Sequence, residues 1–196
     1  MLTVIPGLFA PPAFPGLEFR ADFIAAAEEQ ALIAAIDSID LAPFRFQGWT
    51  GKRLTASFGW RYDFDNASFG ETEPIPEWLQ PLRAQAEGFA GLAEGALVQA
   101  LVTRYDPGAG IGWHRDRPVF GHVIGISLGE AAVLRFRRRR SDRGFERFAA
   151  PLPPRSAYHL SGEARHVWEH SIAPMAAPRW SITFRSLSVR GTHSTR

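Results

Sequence analysis

Residues 179–187 read RWSITFRSL, and polar and apolar side chains alternate strictly as far as Arg185. Because side chains two apart on a strand share a face, the stretch predicts a β-strand with one apolar face packed on a core. The other face carries the polar set Arg179, Ser181, Thr183 and Arg185. If that face is buried, its two guanidinium groups need anionic partners, and a dicarboxylate offers one for each. The alternative is a solvent-facing strand edge with two ordinary surface arginines.

Short β-type runs precede this strand, with turn signals between them and no helical pattern. Together with the strand itself, they are Leu97–Tyr105, Val123–Leu128, Ala132–Arg137, Phe145–Ala149, Ser156–Leu160, Val167–Ile172 and Arg179–Leu187. Seven such runs without intervening helices predict a β-sandwich or jelly roll.

The first half of the chain is mixed. Apolar residues at helical spacing predict one helix over about 25–38 and a second over about 76–93. Between them, Phe44–Phe64 is aromatic and β-prone, with glycines as turn points. We therefore predict an α+β, mainly β fold, in which an all-β half packs against two N-terminal helices.

The composition limits the kinds of site that this chain can build. Its 196 residues, 45% of them hydrophobic, fit one soluble globular domain. It contains no cysteine, which excludes disulfides, cysteine-ligated zinc, iron–sulfur clusters and thiol nucleophiles, so any metal must be held by histidines and carboxylates. Residues 1–15 lack a basic start and contain four prolines, so neither a signal peptide nor a membrane span is predicted. We expect a cytoplasmic location.

The basic side chains are almost all arginines. Lys52 is the only lysine, and six arginines lie within residues 135–143, although the net charge is only +2. The planar fork of arginine binds two phosphate oxygens at once, so the run favours nucleic acid as a partner. A solvated loop is the usual alternative for a run of like charges. Nothing in the composition indicates an obligate protein partner or a membrane.

A His-x-Asp pair, His114 and Asp116, follows the glycines of residues 110–112. On an extended strand, residues two apart face the same way, so both side chains can bind one metal ion. Two histidines and one carboxylate form a facial triad that leaves positions open for co-substrate and O2. His170, on another predicted strand, is one candidate for the third ligand, and His122, His159 and His166 are the others.

Several motifs in the second half resemble those of the AlkB family. They are Thr103–Gly108 followed by His114–Asp116, then Ile126–Gly129, Pro154–Ser156, Gly162–Arg165 with His170, and Arg179–Arg185. Taken together these motifs are specific, and they cover about residues 97–187. Their arrangement favours His170 as the third metal ligand.

The resemblance implies a single domain over residues 1–196, with a double-stranded β-helix core over 97–187. Residues 1–96 would supply the helices and a lid over the substrate, formed by Gly48–Phe64. Fe(II) would be held by His114, Asp116 and His170. The 2-oxoglutarate co-substrate would be bound by Tyr105, Arg179 and Arg185, beside Thr103 and Ser181. Arg179 would take its distal carboxylate and Arg185 would lie nearer its keto-acid end. Lys52, Arg53, Tyr62 and Phe64 would contact a nucleic-acid substrate.

The activity implied is oxidative demethylation of N-alkylated bases in DNA or RNA, as in alkylation repair, with O2 as the oxidant. Thr103 and Ser181 stand where the family usually has asparagine, and Pro118 stands where the DNA-repair prototype has an acidic residue. The spacing from Glu163 to His170 is similar to that of eukaryotic-type members, which include a tRNA-modifying branch. The alternatives are the same chemistry on tRNA, protein or a small molecule, or a non-catalytic nucleic-acid-binding module.

Overall fold

The computed structural model describes residues 14–46, 49–62 and 69–188. Its helices are α1 (Ala26–Asp37), α2 (Gln80–Phe89) and α3 (Gly162–His166), and a 3-10 turn at Glu77–Leu79 leads into α2. Its strands are β1 (Leu17–Arg20), β2 (Ala42–Phe46), β3 (Trp49–Tyr62), β4 (Phe69–Glu71), β5 (Leu97–Tyr105), β6 (Ile111–His114), β7 (Phe120–Gly129), β8 (Ala132–Arg139), β9 (Phe145–Leu152), β10 (Ala157–Leu160), β11 (Glu169–Ile172) and β12 (Arg179–Leu187).

The strands form two antiparallel sheets. The large sheet has eight strands, in the order β1-β10-β7-β12-β5-β3-β2, with β4 paired to β3. The small sheet has four, in the order β6-β11-β8-β9. Two sheets with crossovers between non-consecutive strands are the jelly-roll arrangement, so the predicted fold class is confirmed. In the described ranges no helix is long and apolar enough to cross a membrane, and the cytoplasmic location stays a prediction.

β12 lies at the centre of the large sheet, between β7 and β5. Its apolar residues Ile182 and Phe184 are completely buried in a cluster that includes Leu32 of α1 and Leu82 of α2. The predicted alternation is therefore observed, because the helices cover one face of the sheet. The arginines occupy the opposite face, toward the small sheet.

The two predicted helices and the seven predicted strands correspond to described elements, whereas β1, β4 and α3 were not predicted. No helix was predicted in the second half, but α3 lies between β10 and β11, and β11 begins at Glu169, two residues later than the strand predicted over Val167–Ile172. Val167 and Trp168 lie between α3 and β11, where Val167 is exposed and Trp168 is packed in the core between the sheets.

The N-terminal part contributes strands as well as helices. β3 pairs with β5 and β1 pairs with β10, so the large sheet continues across the predicted boundary at residue 96. The predicted lid is largely β3, a 14-residue strand that also pairs with β2 and β4. Gly48 and Phe64, the ends of the predicted lid, lie outside the described residues. The described part of this segment thus belongs to the large sheet, next to β5.

Candidate active site

A cavity of about 1320 Å³ lies between the two sheets. The large sheet contributes Tyr105 and Arg185 to its wall, and the small sheet contributes His114 and His170. The cavity therefore lies where the polar face of β12 meets the small sheet, which is the place where the alternation in residues 179–187 predicts a buried polar site.

His114, Asp116 and His170 come together on the cavity wall, and one ligand atom from each lies within 4.8 Å of the others. His114 and His170 are cross-strand partners in β6 and β11, with ring centres 4.3 Å apart. His170 Nε2 lies 3.5 Å from Asp116 Oδ2. His114 Nδ1 lies 2.9 Å from the Gly112 carbonyl, which leaves its Nε2 available as a ligand atom. Two imidazoles and a carboxylate at these distances fit Fe(II).

Asp116 does not lie on a strand, and the predicted strand geometry for the His-x-Asp pair is wrong at this residue. β6 ends at His114, and Asp116 lies in the loop that follows. The carboxylate is held instead by Arg185, whose Nε and Nη2 lie 2.9 Å and 2.7 Å from Asp116 Oδ1. Arg185 Nη1 donates to Gln99 Oε1 at 3.0 Å. Arg185 thus pairs with one of the three candidate metal ligands, and its predicted place near the keto-acid end of 2-oxoglutarate stays a prediction.

The electrostatics of the triad favour the metal-binding forms. Burial lowers the pKa of His170 to about 3, and the charge of His114 acts in the same direction. Burial also lowers the pKa of His114. Burial alone would raise the pKa of Asp116, but Arg185, followed by His170 and His114, holds that pKa well below its usual range. At neutral pH the site therefore presents two neutral imidazoles and one carboxylate, with no proton to displace.

These pKa shifts give an expected pH dependence. Cobalt(II) affinity should change little between pH 8 and pH 6, where solvent-exposed histidine ligands with a pKa of about 6.5 begin to be protonated. Titration of the metal-free chain with Co(II), followed by its visible absorption, measures this. The stability of the metal-free fold should instead fall below pH 6.5. There the unfolded chain binds protons that the folded His170, with its pKa of about 3, does not. A loss of Co(II) affinity centred near pH 6.5 would contradict the assignment.

Arg165 of α3 fixes the loop that carries Asp116. Its side chain is 2% exposed. Nη1 donates to the Asp116 carbonyl at 3.2 Å, and Nη2 donates to the carbonyls of Arg117 and Phe120 at 2.6 Å and 2.7 Å. One guanidinium thus satisfies three carbonyls of an otherwise irregular segment. Arg165 was not predicted as a site residue, although it stands in a motif that the sequence singles out.

Replacement of Arg165 by lysine should weaken metal binding by about 10- to 100-fold, the usual cost of losing a group that orients a ligand. The ammonium group of lysine is a compact point charge and cannot donate hydrogen bonds to three carbonyls arranged around a planar guanidinium. Co(II) titration measures the effect. Arg115→Lys is the matched control, because Arg115 lies in the same loop and makes one long contact of 3.4 Å to the His166 carbonyl. Wild-type metal affinity in Arg165→Lys, with only a lower melting temperature, would mean a purely structural role.

Arg179 is 1% exposed, and its charge has no carboxylate partner within the described ranges. Nη2 donates to Ser127 Oγ at 3.1 Å, whereas Nε and Nη1 are buried without a hydrogen-bond partner. The guanidinium lies 5.1 Å from the centre of the Tyr105 ring. A buried, unpaired arginine is costly, so this geometry fits a carboxylate ligand from outside the chain. A carboxylate of 2-oxoglutarate would supply that partner.

Tyr158 is a second aromatic residue at this end of the site, and the sequence did not identify it. Burial raises its pKa to about 12, although the charge of nearby Arg179 acts in the opposite direction. Its hydroxyl therefore stays protonated and can donate to an anion. Gly125 lies opposite Tyr158 on β7, and a side chain there would approach the Tyr158 ring to 2.3 Å. The glycine between Ile124 and Ile126 is the feature of the sequence that could have indicated a neighbouring ring in the space of a side chain.

Thr103 and Ser181, which stand at the positions of the family's asparagines, are cross-strand partners in β5 and β12. Both are buried, and Thr103 lines the cavity. The two hydroxyls therefore lie side by side on the polar face of the large sheet.

Of the four predicted substrate-binding residues, one lines the cavity, one does not, and two have side chains outside the described part of the structure. Arg53 of β3 lines the cavity, is 8% exposed and stacks 3.9 Å above the Phe44 ring, with its Nε lacking a partner. Lys52 is exposed and is not among the residues that line the cavity. Phe64 and the side chain of Tyr62 lie outside the described residues. Pro118 also lines the cavity.

The other candidate histidines lie outside the triad. His122 Nδ1 and His159 Nε2 are 2.8 Å apart and pair with each other, on β7 and β10. His166, the last residue of α3, is exposed and lines the cavity without belonging to the group of ligand atoms. The structure thus brings His170, and none of these three, to His114 and Asp116.

Comparison with known proteins agrees with this geometry. Residues 23–187 match the model of the 2OG-Fe(II) oxygenase superfamily. The chain is 29% identical over 183 residues to an alkylated DNA repair protein ALKBH8 homolog of Arabidopsis thaliana, which covers 81% of this chain and 51% of that protein. It is 27% identical to tRNA (carboxymethyluridine(34)-5-O)-methyltransferase alkbh8 of Xenopus tropicalis, which covers 88% of this chain and 27% of that protein. The chain thus spans about half or less of these curated relatives.

Solved structures share the fold at low sequence identity. OsALKBH1 aligns with 88% of this chain and 97% of its own, with a TM-score of 0.64 and 18% identity. A prolyl-4-hydroxylase of Pseudomonas putida aligns with 88% of this chain and 93% of its own, with a TM-score of 0.59 and 17% identity.

Proposed function

Because the chain belongs to the 2OG-Fe(II) oxygenase superfamily, we propose that it hydroxylates alkyl groups on the bases of a nucleic acid. The predicted resemblance to the AlkB family is confirmed at the level of an AlkB-like oxygenase. The predicted cofactor set of Fe(II), 2-oxoglutarate and O2 is that of the family. When bound together, these supply the oxidant that inserts an oxygen atom into a C–H bond, while 2-oxoglutarate becomes succinate and CO2.

The observation that carries the proposal is the triad on the cavity wall together with Arg179, a buried and unpaired arginine beside Tyr105, which lines the same cavity. His114, Asp116 and His170 would hold the metal, and Arg179, with the Tyr158 hydroxyl nearby, would hold a co-substrate carboxylate. The rest of the cavity, about 1320 Å³ in all, is large enough for a base extruded from its strand. Arg53 on the β3 wall would face the substrate.

The leading reaction is oxidative demethylation. Hydroxylation of an N-methyl group gives an N-hydroxymethyl group, which breaks down to formaldehyde and the unmodified base. The chain's own residues bind, orient and exclude water, and none is required as a general base.

A second candidate is hydroxylation of a modified tRNA base that keeps its new hydroxyl. The relatives named for tRNA carboxymethyluridine support it, and so does Pro118, which puts no acidic group on the cavity wall where the DNA-repair prototype has one. A carbon-linked hydroxyl is stable, so this reaction releases no formaldehyde.

One experiment tests both candidates. The chain is incubated with Fe(II), 2-oxoglutarate and O2, with DNA and RNA oligonucleotides carrying N-methylated adenine or cytosine, and separately with tRNA containing carboxymethylated uridine. Succinate, formaldehyde and the masses of the released nucleosides are measured, with Asp116→Ala as the inactive control. Formaldehyde with restored bases supports demethylation, and a gain of one oxygen atom without formaldehyde supports the second candidate. If no nucleic acid raises succinate above the substrate-free rate, the proposal is wrong.

A further inference from the structure

The outer face of the small sheet carries a second, basic feature. Side chains alternate across β8, so Leu134 and Phe136 point to the buried side and the odd-numbered arginines point outward. The register with β9 pairs Arg137 with Arg147, and Arg139 with Phe145. Three arginines of the run, Arg135, Arg137 and Arg139, therefore share one face of the sheet with Arg147 of β9, whereas Arg140 and Arg143 lie in the turn between the two strands.

Aromatic rings hold these arginines in place. The guanidinium groups of Arg135 and Arg137 lie 5.3 Å and 4.5 Å from the centre of the Trp113 ring. Arg137, Arg139 and Arg147 lie 4.7 Å, 5.6 Å and 5.5 Å from the centre of the Phe145 ring. Cation–π contact restricts the rotamers of each long side chain, so less entropy is lost when its fork binds an anion. We call these six residues the arginine platform: Trp113, Arg135, Arg137, Arg139, Phe145 and Arg147.

The charge of the platform is poorly neutralised. Arg137 pairs with Glu169 at 2.6 Å, whereas Arg135, Arg139 and Arg147 make no ion pair with any carboxylate of the described ranges. Four arginines and one glutamate leave this face with a net charge of +3. Arg138, on the opposite face of β8, shows the contrast, because it contacts both Glu146 and Glu163. Charge is thus balanced on the inner face and left available on the outer one.

We propose that the arginine platform binds the sugar–phosphate backbone of a single-stranded nucleic acid and leads it to the active site. A repeat of two residues along β8 spaces the arginines by about 6.7 Å, close to the spacing of successive phosphates in an extended strand. Trp113 lies between the platform and the cavity, because its ring contacts Arg135 and Arg137 and it belongs to the edge strand β6, next to His114 and among the residues that line the cavity. A strand on the platform can therefore present an unstacked base to the metal site.

This inference rests on the proposed function for its substrate, but its test measures binding alone. Fluorescence anisotropy of a labelled, unmodified single-stranded oligonucleotide is recorded with the intact chain at several salt concentrations. Arg139→Gln with Arg147→Gln removes two exposed, unpaired arginines. Affinity at low salt should fall at least about tenfold, and the slope of log K against log salt should decrease by about 1.4, since each phosphate contact contributes about 0.7.

The matched control is Arg20→Gln with Arg104→Gln. These arginines also stack on rings, of Phe89 and Trp180, but they belong to the large sheet. The control should keep the wild-type affinity and slope. Equal losses in both double variants would mean that only overall charge matters, and an unchanged slope in the platform variant would overturn the proposal. So would loss of binding to phosphatidylserine vesicles with oligonucleotide binding intact, because the platform would then serve a membrane.

The two proposals fail in distinguishable ways. If the chain binds oligonucleotides through the platform but oxidises no base, the proposed function is wrong and the binding role of the platform still holds. If bases are oxidised in strands and the platform variant matches wild type in both binding and turnover, the platform is wrong and the function remains. Melting temperatures of all variants show whether each is folded.

Discussion

Replacing Asp116 by alanine is expected to abolish the visible absorption band that Fe(II) and 2-oxoglutarate produce when added together without oxygen. The variant loses the one carboxylate of the triad, and the two imidazoles that remain bind Fe(II) poorly. Metal affinity should fall by more than about 100-fold, the upper end of the loss seen when only a supporting residue is changed. Turnover should fall to background. Anaerobic titration followed by absorbance measures the first effect, and succinate formation the second.

Two further variants separate loss of the metal from loss of the fold. Asp116→Ala leaves Arg185 buried without its partner, which costs about 3–5 kcal/mol of stability in comparable pairs. Asp116→Asn keeps the volume and an acceptor for Arg185, so it should lose the band while melting nearer to wild type. Glu169→Gln removes a carboxylate next to His170 that pairs with Arg137 and not with the triad, and it should keep the band. A band of normal intensity in Asp116→Asn and Asp116→Ala would refute the triad.

Arg179→Met should raise the concentration of 2-oxoglutarate needed for half-maximal turnover by at least about 30-fold, which corresponds to the 2 kcal/mol at the low end for loss of one partner of a buried charge pair. It should also raise the melting temperature of the ligand-free chain, because a desolvated charge without a carboxylate partner is replaced by an apolar side chain of similar length. 2-oxoglutarate should no longer raise the melting temperature of the variant. Steady-state kinetics and thermal unfolding measure the three effects.

A structural role for Arg179 predicts the opposite pattern. The variant would then melt at a lower temperature and keep its 2-oxoglutarate requirement. Arg104→Met is the control for the neighbouring strand, because Arg104 makes its ion pairs with Asp37 and Asp106 on the helix-covered face. It should leave the 2-oxoglutarate requirement unchanged.

Alternation made part of this site predictable. In residues 179–185 the period of two assigns every side chain to a face, and burial of the apolar residues against α1 and α2 then leaves the two arginines on the face toward the small sheet. The same period could not place Asp116, because β6 ends at His114 and the loop that follows obeys no periodicity. Its position depends on Arg165 and Arg185, which are 49 and 69 residues further along the chain.

Contacts between distant segments explain the other omissions. Tyr158 belongs to the site because a glycine on the neighbouring strand leaves room for its ring, and that pairing depends on the register of β10 with β7. The arginine run in residues 135–143 is recognisable from composition, but only the structure separates Arg138, which pairs with two glutamates, from Arg135, Arg137 and Arg139 on the other face of β8. Short α3 was missed because five residues are too few to show a helical period.

The ion pair between Arg185 and Asp116 couples the binding of the metal ion to the binding of 2-oxoglutarate. A divalent cation bound to Asp116 and the guanidinium of Arg185 are both attracted to the same carboxylate, so metal binding weakens the ion pair. The Arg185 guanidinium can then bind a carboxylate of the co-substrate. Such a coupling is reciprocal, and 2-oxoglutarate must then tighten metal binding by the same factor. Titrations of Co(II) with and without 2-oxoglutarate give that factor, and Arg185→Met should bring it close to one. Metal and co-substrate would load as a cooperative pair, and little chain would carry the metal alone.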